Sequence, residues 1–471
     1  MRHYDLCVIG SGPAGQRAAI QAAKLGKSVV VVEKRRSVGG VAVNTGTIPS
    51  KALREAILSV AGRSIAAPRY EDFTRARNAV FQNLMNACSR VIGAEIEIIE
   101  QQFRRNGVEV MHGTASFVDE HTVNVTHERG SDRLKAEYFL VAVGTRPARP
   151  DSIEFDAENV ITSDQLHDLG SMPHSMIVVG GGVIGTEYAS MLQALGVKVT
   201  LVEGRNRLLD FVDGEVAEAL QFHLRQAGAT LRLGEKVTKI RTIEAIDGAR
   251  TVDGMMAEAV LESGKTLRAD ALLYAIGRQG STDSLDLASA GLEADHRGRL
   301  AVNDKYQTSV PHIYGAGDVI GFPALASTSY EQGRVAACHM FGVRCDVVSD
   351  LLPYGIYSVP EISMVGWTEQ RLTDEGVPYE SGIASYREIA RGQLIGDDIG
   401  MLKLLIHQDT HAVLGVHAIG TGATELIHIG QAAIAFKATV EYFIDTVFNY
   451  PTLAEAYKIA AMNGLNKIRG V

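Results

Sequence analysis

Cysteine is scarce in this sequence of 471 residues, and its four cysteines show neither C-x-x-C nor metal-ligand spacing. We therefore expect no bound metal and a reducing compartment, in which these residues remain thiols. Cys338 and Cys345 lie seven positions apart and could face each other, but nothing else in the sequence supports a disulfide between them.

Long apolar runs and runs of Lys and Arg are also lacking. No segment approaches the length of a membrane span, and the first predicted strand begins at Tyr4, which leaves no room for a signal peptide. The net charge of −9 argues against nucleic acid as the main partner. We expect a cytoplasmic protein that contacts neither membrane nor nucleic acid.

Glycine, by contrast, is abundant, and some of it forms a dinucleotide-binding fingerprint near the start of the chain. The unit consists of a strand at 4–9, the glycines Gly10, Gly12 and Gly15, a helix at 18–25, and a strand at 28–32 that ends in Glu33. This is the context that the G-x-G-x-x-G pattern requires. The glycines let the backbone approach a pyrophosphate at a helix N terminus, and Glu33 can accept a hydrogen bond from a ribose hydroxyl.

The same unit recurs in the middle of the chain. It consists of a strand at 176–179, the glycines Gly180, Gly182 and Gly185, a helix that continues to 195, and a strand at 198–202 that ends in Glu203. The first glycine precedes the acid by the same interval in both units. Two units predict two dinucleotide sites; a duplication with one inactive site is the alternative, although both sites look chemically complete.

Residues 39–51 read GGVAVNTGTIPSK and lead into a predicted helix at 52–60, with Pro49 suited to its first turn. The segment resembles the redox-active segment GG-x-C-x-N-x-G-C-x-P-S-K of the lipoamide dehydrogenase and glutathione reductase family. Two cysteines form a disulfide beside a flavin in that family. Ala42 and Thr47 occupy the cysteine positions here. The chain therefore resembles the family in the surrounding residues but lacks the two thiols.

The C-terminal residues 448–457 also indicate that the dithiol chemistry is lost. The family pattern H-x-H-P-T-x-x-E supplies a histidine base for the dithiol and a glutamate that orients it, whereas this chain has Tyr450 and Glu455 at those positions. A phenol is too weak a base to serve thiols at neutral pH. Thr47 is typical of a transhydrogenase branch of this family, but that branch usually retains the first cysteine, where this chain has Ala42.

Over the whole chain the resemblance implies an α/β fold with two dinucleotide-binding, Rossmann-like domains and a C-terminal α+β interface domain that makes a homodimer. Strand-to-glycine turns at Gly144 and Gly277 look like crossover points between domains. A polar helical region is predicted at 70–105, a hairpin-like β segment at 113–134, and strands near 355–366, 401–407 and 412–418. We expect an FAD-binding domain at 1–149 and 275–345, an NAD(P)-binding domain at 150–274 and an interface domain at 346–471.

The resemblance also implies roles for individual residues. FAD would place its pyrophosphate on the first glycine set and its adenosine ribose on Glu33, with Lys51 near the flavin N5 and paired with Glu187. A cation there would stabilise negative charge on the flavin. The other residues expected to hold FAD are Gly40, Thr45, Thr114, Ala115, Gly144, Gly277, Gly317 and Asp318.

The nicotinamide nucleotide would use Gly180, Gly182, Gly185 and Glu203, with its ring stacked on the flavin face opposite the lost disulfide. Glu203 suits an NAD ribose and would repel an NADP 2′-phosphate. Arg205 and Arg207 follow closely, and one of them could bind that phosphate while Glu203 turns away. The alternative is that both are solvated loop arginines.

Without a dithiol, electrons on the flavin need another acceptor. A second nicotinamide nucleotide is the simplest, which predicts the ping-pong reaction NADPH + NAD⁺ ⇌ NADP⁺ + NADH through reduced FAD. An NAD(P)H-dependent flavin reductase acting on a quinone or other small acceptor, and a binding protein that has lost its activity, remain alternatives. An authentic disulfide reductase is close to excluded by Ala42, Thr47 and Tyr450.

Overall fold

The computed structural model describes residues 2–61, 77–246, 251, 254–345 and 350–470, although not the side chains of residues 61 and 77. The chain separates into two compact units, each discontinuous in sequence. The first unit comprises Met1–Leu53, Met85–Ala148 and Gly277–Ser349, and the second comprises Arg54–Leu84, Arg149–Ile276 and Asp350–Val471.

Twelve α-helices lie in the described part of the chain. They are α1 (Pro13–Lys24), α2 (Gly40–Asn44), α3 (Thr47–Ala61), α4 (Arg77–Arg105), α5 (Val183–Ala194), α6 (Gly214–Gln226), α7 (Ala326–Met340), α8 (Glu369–Asp374), α9 (Ala390–Ile395), α10 (Ala423–Ala435), α11 (Glu441–Asp445) and α12 (Glu455–Arg469).

The described residues also form twenty-two strands. They are β1 (Arg2–Ile9), β2 (Val29–Glu33), β3 (Glu109–His112), β4 (Thr114–Asp119), β5 (Thr122–His127), β6 (Gly130–Val141), β7 (Thr145–Pro147), β8 (Val160–Thr162), β9 (Ser175–Val179), β10 (Lys198–Glu203), β11 (Thr230–Leu233), β12 (Val237–Glu244), β13 (Met255–Leu261), β14 (Thr266–Ala269), β15 (Ala271–Tyr274), β16 (Arg278–Gly280), β17 (Ile313–Gly315), β18 (Tyr354–Ile356), β19 (Ile362–Gly366), β20 (Tyr379–Ser385), β21 (Met401–His407) and β22 (Val413–Ile419).

The first unit is built on a sheet in the order β3-β2-β1-β6-β5-β4, with β17 also paired to β6. Strands β1, β2, β3 and β17 run parallel, whereas β4, β5 and β6 form an antiparallel meander. Alternate residues of β1 face opposite sides, so Leu6 and Val8 pack under α1 and α7 while Cys7 and Ile9 join the core beside the meander. The predicted strands and helix of the first fingerprint are confirmed, as is the β segment that follows 113.

The second unit contains a five-stranded parallel sheet in the order β11-β10-β9-β15-β8, which confirms the second fingerprint unit. A three-stranded antiparallel sheet, β12-β13-β14, lies in the same unit. The C-terminal residues form an antiparallel sheet in the order β18-β19-β22-β21-β20, and β21 and β22 coincide with predicted strands. The edge strand β20 was not predicted, because its residues YESGIAS carry little strand propensity.

The predicted polar helical region is a single helix, α4, over residues 77–105, and residues 70–76 lie outside the described part of the chain. None of the helices in the described ranges is long and apolar enough to cross a membrane.

Candidate functional site: two dinucleotide-binding sites

The first fingerprint forms a tight turn between β1 and α1. Gly10 has a φ of +105°, and a Cβ there would lie 2.4 Å from the Ala142 carbonyl oxygen. A Cβ on Gly15 would lie 1.9 Å from the Gly10 oxygen, so both positions require glycine. Gly12 is the N-cap of α1 and has no side chain to occupy the helix N terminus. Backbone N–H groups at this end can therefore face an anionic pyrophosphate.

The Glu33 carboxylate, at the end of β2, is 5% exposed and held in place. Its Oε2 accepts hydrogen bonds from the backbone N–H and the hydroxyl of Ser11, and its Oε1 accepts from the Arg35 N–H at 2.7 Å. The Ser11 hydroxyl oxygen also accepts from the Gly39 N–H at 3.0 Å. The carbonyl of Glu33 accepts from the Gly113 N–H at 2.9 Å, so Thr114 and Ala115 begin β4 next to the acid. Their contact with an adenosine stays a prediction.

Residues 39–51 fold against this turn. Gly40 has a φ of +59°, and a Cβ there would lie 2.8 Å from the Gly12 Cα. Ala42 lies in α2 and Thr47 begins α3, where it is exposed. Thr45 lies between the two helices, and its hydroxyl is buried without a hydrogen-bond partner among the described residues. A buried hydroxyl in this position needs a polar partner, which a bound ligand can supply.

Lys51 lies in α3 and is half-buried. Its Nζ donates a hydrogen bond to the Ser50 hydroxyl at 3.2 Å. In the second unit, Glu187 lies in α5, 3% exposed, and its Oε1 accepts from the Tyr357 N–H at 2.8 Å. The pairing of Lys51 with Glu187 and its place beside a flavin stay predictions.

Asp318 follows β17 at the start of a 3₁₀ turn, directly after Gly317, which has a φ of +80°. Its Oδ2 accepts a hydrogen bond from the Thr145 hydroxyl at 3.2 Å, and Arg278 Nε donates to that same hydroxyl oxygen at 2.8 Å. The Gln332 side-chain oxygen accepts from the Gly317 N–H at 2.8 Å. The structure therefore brings the acid into a network that joins three separated stretches of the first unit.

The two crossover glycines also lie in the first unit. Gly144 has a φ of +64° and Gly277 a φ of +84°, and the Ala148 N–H donates to the Gly277 carbonyl at 3.1 Å. The strands that follow them, β7 and β16, pair antiparallel. All the residues predicted to hold FAD thus belong to one unit. The open helix N terminus, the buried acid and the unpartnered Thr45 hydroxyl fit an extended FAD.

The second fingerprint repeats this geometry between β9 and α5. Gly180 has a φ of +111°, and a Cβ there would lie 2.9 Å from the Ala275 carbonyl oxygen. A Cβ on Gly185 would lie 1.9 Å from the Gly180 oxygen. Gly182 is the N-cap of α5 and faces open space. This helix N terminus is likewise available to a pyrophosphate.

Glu203, at the end of β10, is 8% exposed and accepts from the Gly181 N–H at 2.6 Å. Arg205 donates to both carboxylate oxygens, with Nε and Nη2 each at 3.0 Å. Burial alone would raise the pKa of the Glu203 carboxyl, but the hydrogen bonds from Arg205 and two backbone N–H groups hold that pKa below its usual value. Glu203 is therefore ionised, and both of its carboxylate oxygens accept hydrogen bonds from Arg205.

Arg205 also contacts Asp210, with Nη1 2.5 Å from Oδ1. Arg207 donates from Nη2 to the Asp210 backbone carbonyl at 2.7 Å. Both arginines thus lie in one loop after β10 and are hydrogen-bonded there, with the Arg205 side chain 45% exposed. A contact of either arginine with a 2′-phosphate stays a prediction. Binding a 2′-phosphate with Arg205 would require it to leave Glu203, Asp210 or both.

The C-terminal segment places Tyr450 at the surface, 68% exposed. Glu455 lies in the first turn of α12, and its Oε2 is buried without a hydrogen-bond partner among the described residues. This carboxylate oxygen lacks the histidine partner that the family pattern supplies.

A group of three carboxylates, Asp213, Glu215 and Glu369, was not anticipated from the sequence. Their oxygens lie 2.9, 2.8 and 2.7 Å from the Nζ of Lys403, whose side chain is fully buried. Although carboxylates grouped in this way can bind a cation, the Lys403 ammonium already supplies the positive charge. The cluster joins residues distant in sequence and has a structural role.

Several residues of the two sites were missed by sequence analysis. Ser11 stands inside the fingerprint, where its hydroxyl could have been considered as a partner of Glu33. Asp210 is five positions from Arg205, a spacing that carries no signal in a loop. Thr145, Arg278 and Gln332 had no local signal, because each reaches the Asp318 turn only through the tertiary structure.

Comparison with known proteins agrees with this geometry. A family model described as pyridine nucleotide-disulphide oxidoreductase matches residues 4–333, and the dimerisation domain of the same family matches 352–461. A protein of Mycobacterium tuberculosis named soluble pyridine nucleotide transhydrogenase is 52% identical over 100% of this chain and 99% of its own length. A protein of the same name from Vibrio atlanticus is 45% identical over 99% of both chains.

Solved structures show the same fold. LpdA from Mycobacterium tuberculosis superposes with a TM-score of 0.85 at 26% identity, over 98% of this chain and 99% of that one. The HOCl-induced flavoprotein disulfide reductase RclA from Escherichia coli gives a TM-score of 0.86 at 24% identity, with the same coverage.

Proposed function

Because this chain belongs to the pyridine nucleotide-disulphide oxidoreductase family, we infer that it is an FAD-dependent enzyme that transfers hydride between nicotinamide nucleotides. The reaction is NADPH + NAD⁺ ⇌ NADP⁺ + NADH. The name soluble pyridine nucleotide transhydrogenase, borne by relatives at 45% and 52% identity over nearly the full length, supports this reaction.

One observation carries the proposal: the chain has two complete dinucleotide-binding turns but lacks both cysteines and the histidine base of the dithiol relay. Ala42 and Thr47 occupy the cysteine positions, and Tyr450 occupies that of the base. Electrons on the flavin therefore have no family-type disulfide at positions 42 and 47 to receive them. A second nicotinamide nucleotide can receive them with no residue beyond those that bind the first.

FAD, when bound, accepts a hydride from one nicotinamide nucleotide and returns it to another. The turn of Gly10, Gly12 and Gly15 would hold its pyrophosphate, and Glu33 its adenosine ribose. Asp318 would hold the ribityl chain, with its carboxylate oriented by Thr145 and Arg278. Gly40, Thr45, Thr114, Ala115, Gly144, Gly277 and Gly317 complete the proposed site.

Lys51 and Glu187 are the proposed catalytic pair. The Lys51 ammonium would stabilise negative charge that develops on the cofactor, and a buried carboxylate partner would keep that ammonium in place. Because this effect is electrostatic, it requires the charge of Lys51 and no proton transfer.

Both nucleotides would use the second turn, through Gly180, Gly182, Gly185 and Glu203. Arg205 and Arg207 would distinguish them by responding to the 2′-phosphate. Since one site serves both nucleotides, the first product leaves before the second substrate binds, which gives ping-pong kinetics.

We also propose the domain boundaries expected from the sequence, with FAD bound by 1–149 and 275–345, NAD(P) bound by 150–274, and the interface formed by 346–471. We propose a cytoplasmic location for the protein. The match to a dimerisation domain over 352–461 supports a homo-oligomer, and we propose a homodimer.

Anaerobic mixing tests the function directly. NADPH should bleach the flavin absorbance of the purified protein, and NAD⁺ added afterwards should restore it fully. Recovery with a quinone but not with NAD⁺ would contradict transhydrogenation and favour a reductase.

The variant Gly185→Val tests the second turn separately from the first. A side chain at residue 185 meets the Gly180 oxygen in the second unit and leaves the first unit unchanged. This variant should retain its yellow colour and resist bleaching by NADPH. A variant that is bleached normally would show that the second turn is not the nucleotide site.

A further inference from the structure

Two of the four cysteines meet at the C-terminal end of α7. Cys338 lies in the last turn of that helix, and Cys345 lies in the loop after it. Both side chains line the same surface cavity, and Arg334, one helical turn before Cys338, donates a hydrogen bond to the Cys345 sulfur, so the two thiols lie close together. Neither residue belongs to the glycine turns or to the residues proposed to hold FAD or nucleotide.

The helix end explains why the chain brings these cysteines together. Gly342 has a φ of +67°, the Val343 N–H donates to the Cys338 carbonyl at 2.9 Å, and the Gly342 N–H donates to the His339 carbonyl at 3.2 Å. This is a Schellman motif, which reverses the chain at the end of a helix. The reversal returns residue 345 to the helix face that carries Cys338.

Arg334 lies on that same face, one turn before Cys338. Its Nη1 donates to the Cys345 sulfur at 2.7 Å, while its Nε donates to Glu331 at 2.8 Å. Glu331 therefore holds the guanidinium in position, and the guanidinium places a positive charge against the sulfur. Cationic surroundings are typical of cysteines that react with peroxides.

The two thiols line a surface cavity of about 490 Å³, together with Gln21, Arg334, Val343 and Arg344. Cys345 is partly exposed, whereas Cys338 is 3% exposed. Burial raises the pKa of the Cys338 thiol to about 11, so this thiol stays protonated at neutral pH. The arrangement separates an accessible cysteine from a shielded one, as in a peroxide-reactive cysteine and its resolving partner.

We propose that Cys345 and Cys338 form a reversible redox site that a hydroperoxide oxidises to an intramolecular disulfide. The Cys345 thiolate attacks the peroxide, so that an S–O bond forms, the O–O bond breaks, and the leaving oxygen takes a proton. The Cys338 sulfur then attacks the sulfenic sulfur, so that the S–S bond forms and the S–O bond breaks. Hydroxide leaves with the Cys338 proton as water, and a dithiol reductant reverses the oxidation.

Oxidation would tie the end of α7 to the loop that follows it. Gln332, on the same helix, accepts from the Gly317 N–H beside Asp318. The site therefore lies on an element that supports the proposed flavin turn, but its formation does not depend on that function.

The test uses the full-length protein loaded with FAD. A small molar excess of hydrogen peroxide should remove two of its four thiols, and dithiothreitol should restore them. Trypsin cleaves after Arg344 and therefore separates the two cysteines. The disulfide should then appear as two linked peptides, 335–344 and 345–371. Retention of all four thiols, or a disulfide between two chains, would overturn the proposal.

Variants assign the roles. Cys345→Ser should abolish the thiol loss, and Cys338→Ser should accumulate a dimedone-reactive sulfenic acid at Cys345. Arg334→Gln should slow oxidation at least about threefold, and Arg334→Lys should recover part of the rate.

Cys88→Ser is the matched control and should oxidise like the parent, because burial raises the pKa of the Cys88 thiol to about 11 and keeps it out of the reaction. Unchanged oxidation in Cys345→Ser would refute the assignment.

Discussion

Glu203 and Arg205 make a bidentate ion pair at the end of β10, so the guanidinium cannot face a 2′-phosphate without giving up part of that pair. Coulomb's law favours the exchange, because a phosphate carries more negative charge than a carboxylate. In the proposed site, dual specificity would be a competition among anions for one arginine. Asp210, which pairs with Arg205, would be the third anion in this competition, although the sequence did not indicate it.

This competition predicts opposite effects for two sets of variants. Arg205→Ala combined with Arg207→Ala should raise the KM for NADPH about tenfold or more and leave that for NADH nearly unchanged, since a charge-assisted phosphate contact is lost. Steady-state kinetics with both nucleotides measure this. Arg225→Ala, at an exposed position in α6, is the matched control.

Asp210→Asn should act in the reverse direction. The Arg205–Asp210 pair is half exposed, with side chains 45% and 49% accessible, so it contributes no more than about 1 kcal/mol. Releasing Arg205 from that contact should lower the KM for NADPH about threefold and not that for NADH. Equal losses for both nucleotides in the double alanine variant, with no gain in Asp210→Asn, would leave dual use unexplained.

Restoring the two missing cysteines should not by itself restore the activity of a disulfide reductase. Ala42→Cys with Thr47→Cys should yield almost no dihydrolipoamide oxidation, because Tyr450 cannot accept the thiol proton. Adding Tyr450→His to this pair should raise the activity, since Glu455 retains a buried oxygen that can orient a histidine. Robust activity in the double variant alone would show that Tyr450 has been assigned wrongly.

At the scale of elements, α1 and α7 pack closely enough to exclude a single methyl group. A Cβ on Gly333 would lie 2.0 Å from the carbonyl oxygen of Ala14, which is the second residue of α1. The neighbouring Gln332 supports Gly317, so the helix pair connects the pyrophosphate turn with the turn that carries Asp318. Displacing α7 should therefore disturb both ends of the proposed FAD site.

Gly333→Ala should lower the free energy of unfolding by about 1–3 kcal/mol, the usual cost of overpacking. It should also raise the dissociation constant for FAD, because the two turns can no longer keep their spacing. Thermal unfolding and flavin release followed by fluorescence measure the two effects. Ser327→Ala, exposed on the same helix, should change neither, and wild-type FAD affinity in Gly333→Ala would contradict the proposed link between the turns.

At the scale of the whole molecule, three histidines respond to acid in the same way: His223 and His417 are buried, and His167 is half-buried with both ring nitrogens shielded from solvent. Desolvation by burial is the main cause that lowers the pKa values of His167, His223 and His417 below the ordinary 6.5. The folded protein therefore binds fewer protons at these positions than the unfolded chain. As pH falls below about 6.5, the unfolded chain takes up these protons first, so stability decreases.

We expect the free energy of unfolding to fall between pH 7.5 and 5.5, with each histidine contributing at most about 1.4 kcal/mol per pH unit. Denaturant titrations with saturating FAD at the two pH values measure the change. His223→Gln, which removes one of the three groups, should reduce the dependence by about a third. A free energy of unfolding that stays constant or rises on acidification would contradict the burial of these rings in neutral form.

Much of the protein could be predicted from its sequence alone, because the signals are local. Alternation of strand, glycine turn and helix predicted both dinucleotide units, since only glycine tolerates the close backbone approach at Gly15 and Gly185. The absence of the dithiol followed from three residues, Ala42, Thr47 and Tyr450. Together with the resemblance to the lipoamide dehydrogenase and glutathione reductase family, these residues imply a flavoprotein without a redox-active disulfide beside the flavin.

The tertiary structure decided what depends on distant residues. Strand β20 has weak propensity and is fixed by packing, since Gly382 allows α12 to approach so closely that a Cβ there would lie 2.0 Å from the Ala460 carbonyl oxygen. The Lys403 cluster, the Thr145–Arg278 support of Asp318, and the loop contact between Arg205 and Asp210 all join residues whose spacing carries no pattern. Both kinds of information meet at Cys338 and Cys345. Their spacing allowed them to approach each other, but the chain reversal at Gly342 placed both on one cavity. Sequence periodicity reports local backbone preference, whereas side-chain partnership is set by the packing of elements far apart in the chain.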